Sequence, residues 1–218
     1  MLLGGVQAPP RVRRAARPTF MAPVEVHARD VLRHAAAMTL DLGRGGSLAR
    51  RLPVSAVTLL PIQPIDAVTL VRVSDELRSR GVKVELKPTI LRPRDSYDAR
   101  RQQFRAERLL ERVALAPERP VLALTDGDCY AAKLNFVFGM AEVGGGTAVV
   151  SLFRLRMGAT AGTFMTRAMK EIFHELGHAV GLGHCENLRC VMHFSNSLAE
   201  ADTKEECLCA ACLRQLRD

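Results

Sequence analysis

Short apolar runs alternate along this chain with longer amphipathic stretches, and the period of each predicts its element. Residues 57–62 (VTLLPI) are an apolar run bounded by proline, the pattern of a buried strand. Asp66 is placed to cap a helix reaching Arg80, with Val68, Val71 and Leu77 toward the core and Gly81 just beyond its end. VKVEL at 82–86 alternates as a strand should. Tyr97 to Ala114 carries Phe104, Leu109 and Val113 at roughly helical spacing and reads as an arginine-rich helix with a solvated charged face. Val121 to Leu124 reads as a third strand. Phe136–Met140 and Thr147–Leu152 flank the glycines 144–146 and read as a hairpin. Phe164, Ala168, Ile172 and Leu176 recur every four residues, a helical stripe with Thr163 as its N-cap. A last helix is expected over about Thr203 to Leu216. Upstream, Asp30–Met38 reads as a short helix and LGRGGS at 42–47 as a turn. The order is βαβαβββα with a small irregular C-terminal part. It predicts an α/β fold with a mixed, largely parallel sheet.

Composition sharpens this picture in four places. The chain has 218 residues, 48% of them hydrophobic, which suits one domain with its own core. No run of 18 apolar residues is present, so no membrane span is expected. Tryptophan is absent and aromatics make up 5%, which argues against a base-stacking nucleic-acid surface. The net charge is +8, and Arg11, Arg13, Arg14 and Arg17 supply four of those charges within a stretch that holds no acid. Residues 1–20 therefore read as a basic, flexible tail, and 21–218 as a single domain.

The chemistry concentrates in HELGHAVGLGHC, residues 174–185. His174 and His178 are four apart, so on a helix they share a face and can converge on one zinc ion. Glu175 beside them is placed to take a proton from water, the general-base role of H-E-x-x-H metalloproteases. Gly181 can end the helix in a left-handed turn that returns His184 to the metal. Three histidines leave one position open, as a catalytic zinc requires.

Five of the six cysteines fall within the last 34 residues. Cys185 and Cys190 form C-x4-C, and Cys209 and Cys212 form C-x2-C, the spacing of a structural four-thiolate zinc site. Such a site would hold the loop carrying His184 from behind. Cys207 is an alternative to Cys209 as a ligand. Disulfides would need an oxidising compartment, and the N-terminal residues hold no apolar run of seven or more that would read as a signal peptide, so reduced thiols in the cytoplasm are expected. Cys129 stands apart and reads as a small buried residue.

The run HELGHAVGLGHCENLRCVM (174–192) resembles the archaemetzincins, which join the extended histidine motif to C-x4-C-x-M and a later C-x2-C. The resemblance continues in TDGDCY (125–130), NFVFG (135–139), SLFRL (151–155) and FSNSL (194–198), and in Asp202 and Lys204, covering about residues 55–216. It implies a metzincin-like fold: a mixed twisted sheet with an active-site helix in an N-terminal subdomain (21–183), and a small zinc-stapled C-terminal subdomain (184–218). It implies His174, His178 and His184 on a catalytic zinc, Glu175 as general base, and Cys185, Cys190, Cys209 and Cys212 on a second, structural zinc. Met192 would be the methionine of the turn beneath the metal, and His193 a turn histidine. Sixteen residues separate Met192 from Cys209, one fewer than the family spacing. An edge strand above the cleft, Asn135–Ala141, would pair with an extended peptide.

The function expected is zinc-dependent peptide hydrolysis, with a peptide or protein as partner. The alternative is a catalytically silent, zinc-stabilised module that binds a peptide. Glu142 is a candidate for binding a substrate amine and Arg154 for a substrate carboxylate, each set against an ordinary surface or fold-pairing role.

Overall fold

The computed structural model describes residues 52–216; the expected helix at 30–38, the turn at 42–47 and the basic stretch 1–20 lie outside the described residues. Its main sheet has the order β2-β1-β5-β8-β7, built from β1 (Ala56–Pro61), β2 (Lys83–Leu86), β5 (Val121–Thr125), β7 (Gly139–Glu142) and β8 (Thr147–Ser151). The first four strands in this order run parallel to one another, and β7 closes the edge antiparallel to β8. The central strands are apolar on both faces because both faces are covered. Leu59, Leu122, Leu124, Ala148 and Val150 point to α1 (Ala67–Ser79) and α3 (Ala161–Ala179). Leu60, Val121, Ala123 and Val149 point the other way, to a core with Leu109 and Val113 of α2 (Ala106–Val113).

Asp66 caps α1 as expected, its Oδ2 accepting from Thr69 N at 2.8 Å. The face it buries is Leu70, Val73 and Leu77; Val68 is 62% exposed, so the stripe is turned from the one read in sequence. The expected helix over 97–114 begins only at Ala106. Asp98 Oδ1 accepts from the backbone N–H groups of Arg100 and Arg101, and Gln102 takes a positive φ, which together turn the chain out of helical conformation. Residues before α2 instead form β3 (Tyr97–Asp98) and β4 (Gln103–Arg105), which join β6 (Cys129–Tyr130) in a small second sheet.

The N-cap of α3 is Thr160, not Thr163; its hydroxyl accepts from Thr163 N at 3.2 Å. The edge strand is shorter than expected and sits further along, because Val137 pairs back onto Cys129 before β7 begins. Of the helix expected over about Thr203 to Leu216 only the later part forms, as α5 (Ala210–Gln215), and a separate short helix, α4 (Leu198–Thr203), precedes it. Between them the backbone pairs elsewhere: Glu205 N donates to Arg189 O and Val191 N to Cys207 O. Among the described residues no helix is long and apolar enough to cross a membrane.

Candidate metal centre

Helix α3 buries its apolar stripe under the sheet: Phe164, Ala168, Ile172 and Leu176 are all in the core. It also buries polar side chains over its last three turns, among them Arg167, Lys170, Glu171, His174, Glu175 and His178. A buried polar face needs partners, and the segment from 185 to 204 supplies most of them.

The helix ends in a Schellman closure. Leu182 N donates to Gly177 O and Gly181 N to His178 O, both at 2.9 Å, with Gly181 at φ +104°. A side chain at 181 would strain that turn, and the turn is what brings His184 back. The His184 ring centroid lies 5.4 Å from that of His174 and 4.7 Å from that of His178. One ring nitrogen from each of the three lies within 4.8 Å of the others.

The tautomers follow from the backbone. His174 Nδ1 is 2.8 Å from Val191 O, and His178 Nδ1 is 2.7 Å from Leu182 O. A carbonyl only accepts, so both Nδ1 atoms carry hydrogen and donate. Both Nε2 atoms are then bare, yet they face each other at 3.1 Å. Burial holds both imidazoles below their usual pKa, which disfavours a second proton on either ring. Two lone pairs that close call for a cation between them, and bonds of about 2.0–2.1 Å to a tetrahedral zinc would set ring nitrogens roughly 3.3 Å apart. The histidine site therefore fits zinc.

Glu175 is 4% exposed and lies beside this site in a cleft of about 340 Å³, walled in part by Phe136, Phe138 and Phe194. Its Oε2 is buried with no hydrogen-bond partner. Burial, reinforced by the neighbouring Glu171 carboxyl, pushes its pKa well up. Gly139 of β7 closes over it: a Cβ there would fall 2.6 Å from Glu175 Oε1. Met192 is fully buried under α3, so close that a Cβ on Gly177 would meet its Sδ at 2.2 Å. Its carbonyl accepts from Cys185 N at 3.0 Å. His193 Nδ1 donates to Cys185 O at 2.8 Å, which makes it the turn histidine expected.

Cys185, Cys190, Cys209 and Cys212 bring four sulfurs within 4.8 Å of one another. The Cys185–Cys209 and Cys190–Cys212 pairs are each 3.8 Å apart. That is far beyond a disulfide bond of about 2.05 Å. It equals the edge, about 3.8 Å, of a tetrahedron with Zn–S bonds of about 2.3 Å. Geometry also separates the two alternatives at this cluster. Cys209 caps α5 within the group, whereas Cys207 turns its thiol to Glu205 at 3.5 Å. Cys129 is buried, and burial pushes its thiol up to about 12, so it stays inert.

Two candidates lie away from the chemistry. Arg154 makes a two-pronged ion pair with Asp128 at 2.7 and 2.8 Å and covers the Phe136 ring, so it is spoken for by the fold. Glu142 lines a shallow hollow with Glu107, Glu111 and Met140 rather than the cleft with the histidines. Glu171 carried no expectation from sequence, yet it lines the cleft together with Lys204, and both are buried. Glu171 stands four residues before Glu175, a spacing that alone puts it on the same helix face.

Known proteins are similar to this chain in sequence and in fold. Residues 100–218 match the model of peptidase family M54. An archaemetzincin of Natronomonas pharaonis is 37% identical over 170 residues, covering 73% of this chain and 98% of that protein. The crystal structure of an archaemetzincin from Archaeoglobus fulgidus, complexed with malonate, superposes with a TM-score of 0.66 at 34% identity, over 73% of this chain and 99% of that one. A zinc-dependent peptidase from Methanocorpusculum labreanum gives a TM-score of 0.64 at 28% identity, over 73% and 99%. The metzincin-like α/β fold read from the sequence is thus the fold of these relatives, and the chain belongs to peptidase family M54.

Proposed function

We propose that this chain is a zinc metallopeptidase that hydrolyses peptide bonds, with His174, His178 and His184 as ligands of the catalytic ion. Bound there, zinc supplies Lewis acidity toward the attacking water and the scissile carbonyl. Glu175 takes the proton from that water and returns it to the leaving amine. The Nδ1 bonds to Val191 O and Leu182 O keep both helix histidines in the tautomer that offers Nε2 to the metal. The outer edge of β7 accepts an extended peptide by main-chain hydrogen bonds, laying it across the cleft. Cys185, Cys190, Cys209 and Cys212 hold a second, structural zinc and Met192 floors the site. Four adjacent thiols fit a reducing compartment, and the cytoplasm is where we place the protein.

The observation that carries this reading is the pair of bare Nε2 atoms at 3.1 Å beside a buried carboxylate oxygen with no partner. The test is digestion of a diverse peptide mixture, read by mass spectrometry, with wild type beside Glu175→Ala after metal analysis of both. Two zinc ions in each protein and cuts from wild type alone are expected. The cut positions then distinguish end-trimming from internal cleavage. Matching cuts from Glu175→Ala, with contaminating peptidases excluded, would remove Glu175 from the mechanism. No cuts from fully loaded wild type would favour the silent peptide-binding module.

A further inference from the structure

Three stretches that carry the family resemblance, TDGDCY (125–130), NFVFG (135–139) and SLFRL (151–155), contain none of the candidate metal ligands, yet they meet at one carboxylate. Asp128 Oδ1 accepts from Arg154 Nε at 2.7 Å, and its Oδ2 accepts from Arg154 Nη2 at 2.8 Å and from Gln103 Nε2 at 3.0 Å. Gln103 is 6% exposed, and its Nε2 also donates to Asn135 O at 3.0 Å. A carboxylate and a carbonyl only accept, so the amide orientation is settled: Nε2 faces those two oxygens, and Oε1 accepts from Arg101 Nε at 3.2 Å. The buried amide is fully satisfied. Arg154 in turn lies over the Phe136 ring, its Cζ 4.4 Å from the ring centroid.

Both arms of Asp128 therefore end on residues 135–136, and this segment walls the cleft. Leu134, Asn135, Phe136 and Phe138 line it together with the histidines, whereas Asp128, Gln103 and Arg154 do not. The wall precedes β7 and has no strand ladder of its own; Val137 N donates to Cys129 O at 2.9 Å in an isolated bridge. Lys133 leads into it at φ +70°, a conformation that a non-glycine residue keeps only where its surroundings impose it. The wall residues that line the cleft carry no charge, and Leu134 is 44% exposed. Phe136 packs edge-on against Phe138, with ring centroids 5.2 Å apart. An open apolar wall held from behind gains most by covering a large apolar group.

We infer that Asp128 is a positioning residue for substrate selection: through Arg154 it fixes the Phe136 ring and through Gln103 the Asn135 backbone, and the wall so held selects peptides that place a large apolar or aromatic side chain beside the scissile bond. The inference rests on the metallopeptidase reading above and names its substrate class. Asp128 touches neither peptide nor metal; it acts through Phe136.

The test compares zinc-loaded wild type, Asp128→Asn, Phe136→Ala and the double variant as full chains. The first readout needs no turnover: the affinities of 3-phenylpropanohydroxamate and acetohydroxamate, by calorimetry. Both probes carry the same metal-binding group, so their ratio reads the side-chain contact alone. The second is kcat and KM on two peptides that differ only in Phe or Ala beside the bond that wild type cuts. Wild type should prefer the phenyl probe by about tenfold or more, and Phe136→Ala should remove most of that preference. Asp128→Asn should reduce it about fivefold, with acetohydroxamate affinity and zinc content unchanged. On peptides its loss should fall on KM for the Phe substrate and spare the Ala substrate. The double variant should be no worse than Phe136→Ala alone. An unchanged ratio in Asp128→Asn, an equal loss on both probes, or additive losses in the double variant would overturn the inference. If Asp128→Asn does not fold, Arg154→Lys, which keeps the cation and loses the two-pronged grip, is read by the same ratio with the same expectation. A wild type that binds the two probes equally, or neither, also overturns it. A wild type that prefers the phenyl probe but cuts no peptide would sink the peptidase reading alone and leave the wall to be judged by the ratio.

Discussion

Gly139→Ala separates the stability of this protein from its chemistry. Gly139 opens the edge strand, paired with Val150, and its φ is not among the positive ones. Alanine is therefore tolerated by the backbone and should gain roughly 0.4–1 kcal/mol through the unfolded state. What it meets is the Glu175 side chain: 2.5 Å to Cγ, 2.6 Å to Oε1 and 2.7 Å to Cδ. Ordinary contact with a Cβ begins at 3.4 Å, so the carboxyl must retreat by about 0.8 Å. A carboxyl can retreat cheaply, so the fold survives. The general base proposed for Glu175 cannot, because a displacement near 1 Å costs on the order of 100-fold in rate. The expected result is kcat down about 100-fold, two zinc ions retained, and a melting temperature equal to wild type or slightly higher. Peptide cleavage, metal analysis and calorimetry on one preparation suffice. Wild-type kcat in a fully loaded Gly139→Ala would refute the reasoning, since it would mean Glu175 need not sit where β7 closes on it.

Two further predictions follow. Cys209→Ala should lose one zinc ion and about 3 kcal/mol, lowering Tm by on the order of 10 °C, while Cys207→Ala keeps both ions; metal analysis of the pair decides, and loss of an ion from Cys207→Ala alone would reverse the assignment. The hydrogen bonds from Arg167 hold the Asp202 carboxyl below the usual carboxylate range, against a smaller opposing effect of burial. A depressed folded pKa gives stability that is present above the unfolded value, about 3.9, and is lost as pH falls through the folded one. Urea midpoints of wild type should exceed those of Asp202→Asn at pH 7, and the gap should close toward pH 3; a gap independent of pH would mean the Arg167–Asp202 pair owes nothing to the carboxylate charge.

Legibility in the sequence tracked the range of the forces involved. The strands at 57–62 and 121–124, the capped helix after Asp66 and the stripe through Phe164 and Leu176 were readable because a covered strand or a helix face leaves its period in the residues themselves. The site was readable for a related reason: His174, His178 and Gly181 sit on one helix and its closing turn, so their spacing is their geometry. The stretch 97–105 was not, because Phe104, Leu109 and Val113 have helical spacing while an Asp98 side-chain turn and a positive φ at Gln102 decide the backbone. The C-terminal helix expected from about Thr203 starts only at Ala210, because the backbone at 205 and 207 pairs with residues 189 and 191, a contact distant in sequence. Glu171 was missed for the same reason. Its spacing to Glu175 was visible, but only the fold buries it in the cleft that Lys204 also lines.

The cysteine that directly follows His184 now has a physical role. Cys185 N donates to Met192 O, Cys185 O accepts from His193, and Cys185 Sγ stands in the thiol cluster. His184 is the most exposed of the three histidines, and it alone is carried by a loop rather than by α3. A ligand on a loop must be held by something other than helix geometry, or its position varies and metal affinity falls. The four-cysteine cluster does this from one residue away, joining the His184 loop to α5, while the Met192 turn joins it to α3. Arg167 on the Asp202 carboxylate and Lys170 on the carbonyls of Ala201 and Asp202 then tie the same C-terminal segment back to the helix bearing Glu175. Both candidate metal sites therefore depend on one short segment, and weakening either anchor should loosen the geometry of the histidine site before it unfolds the sheet.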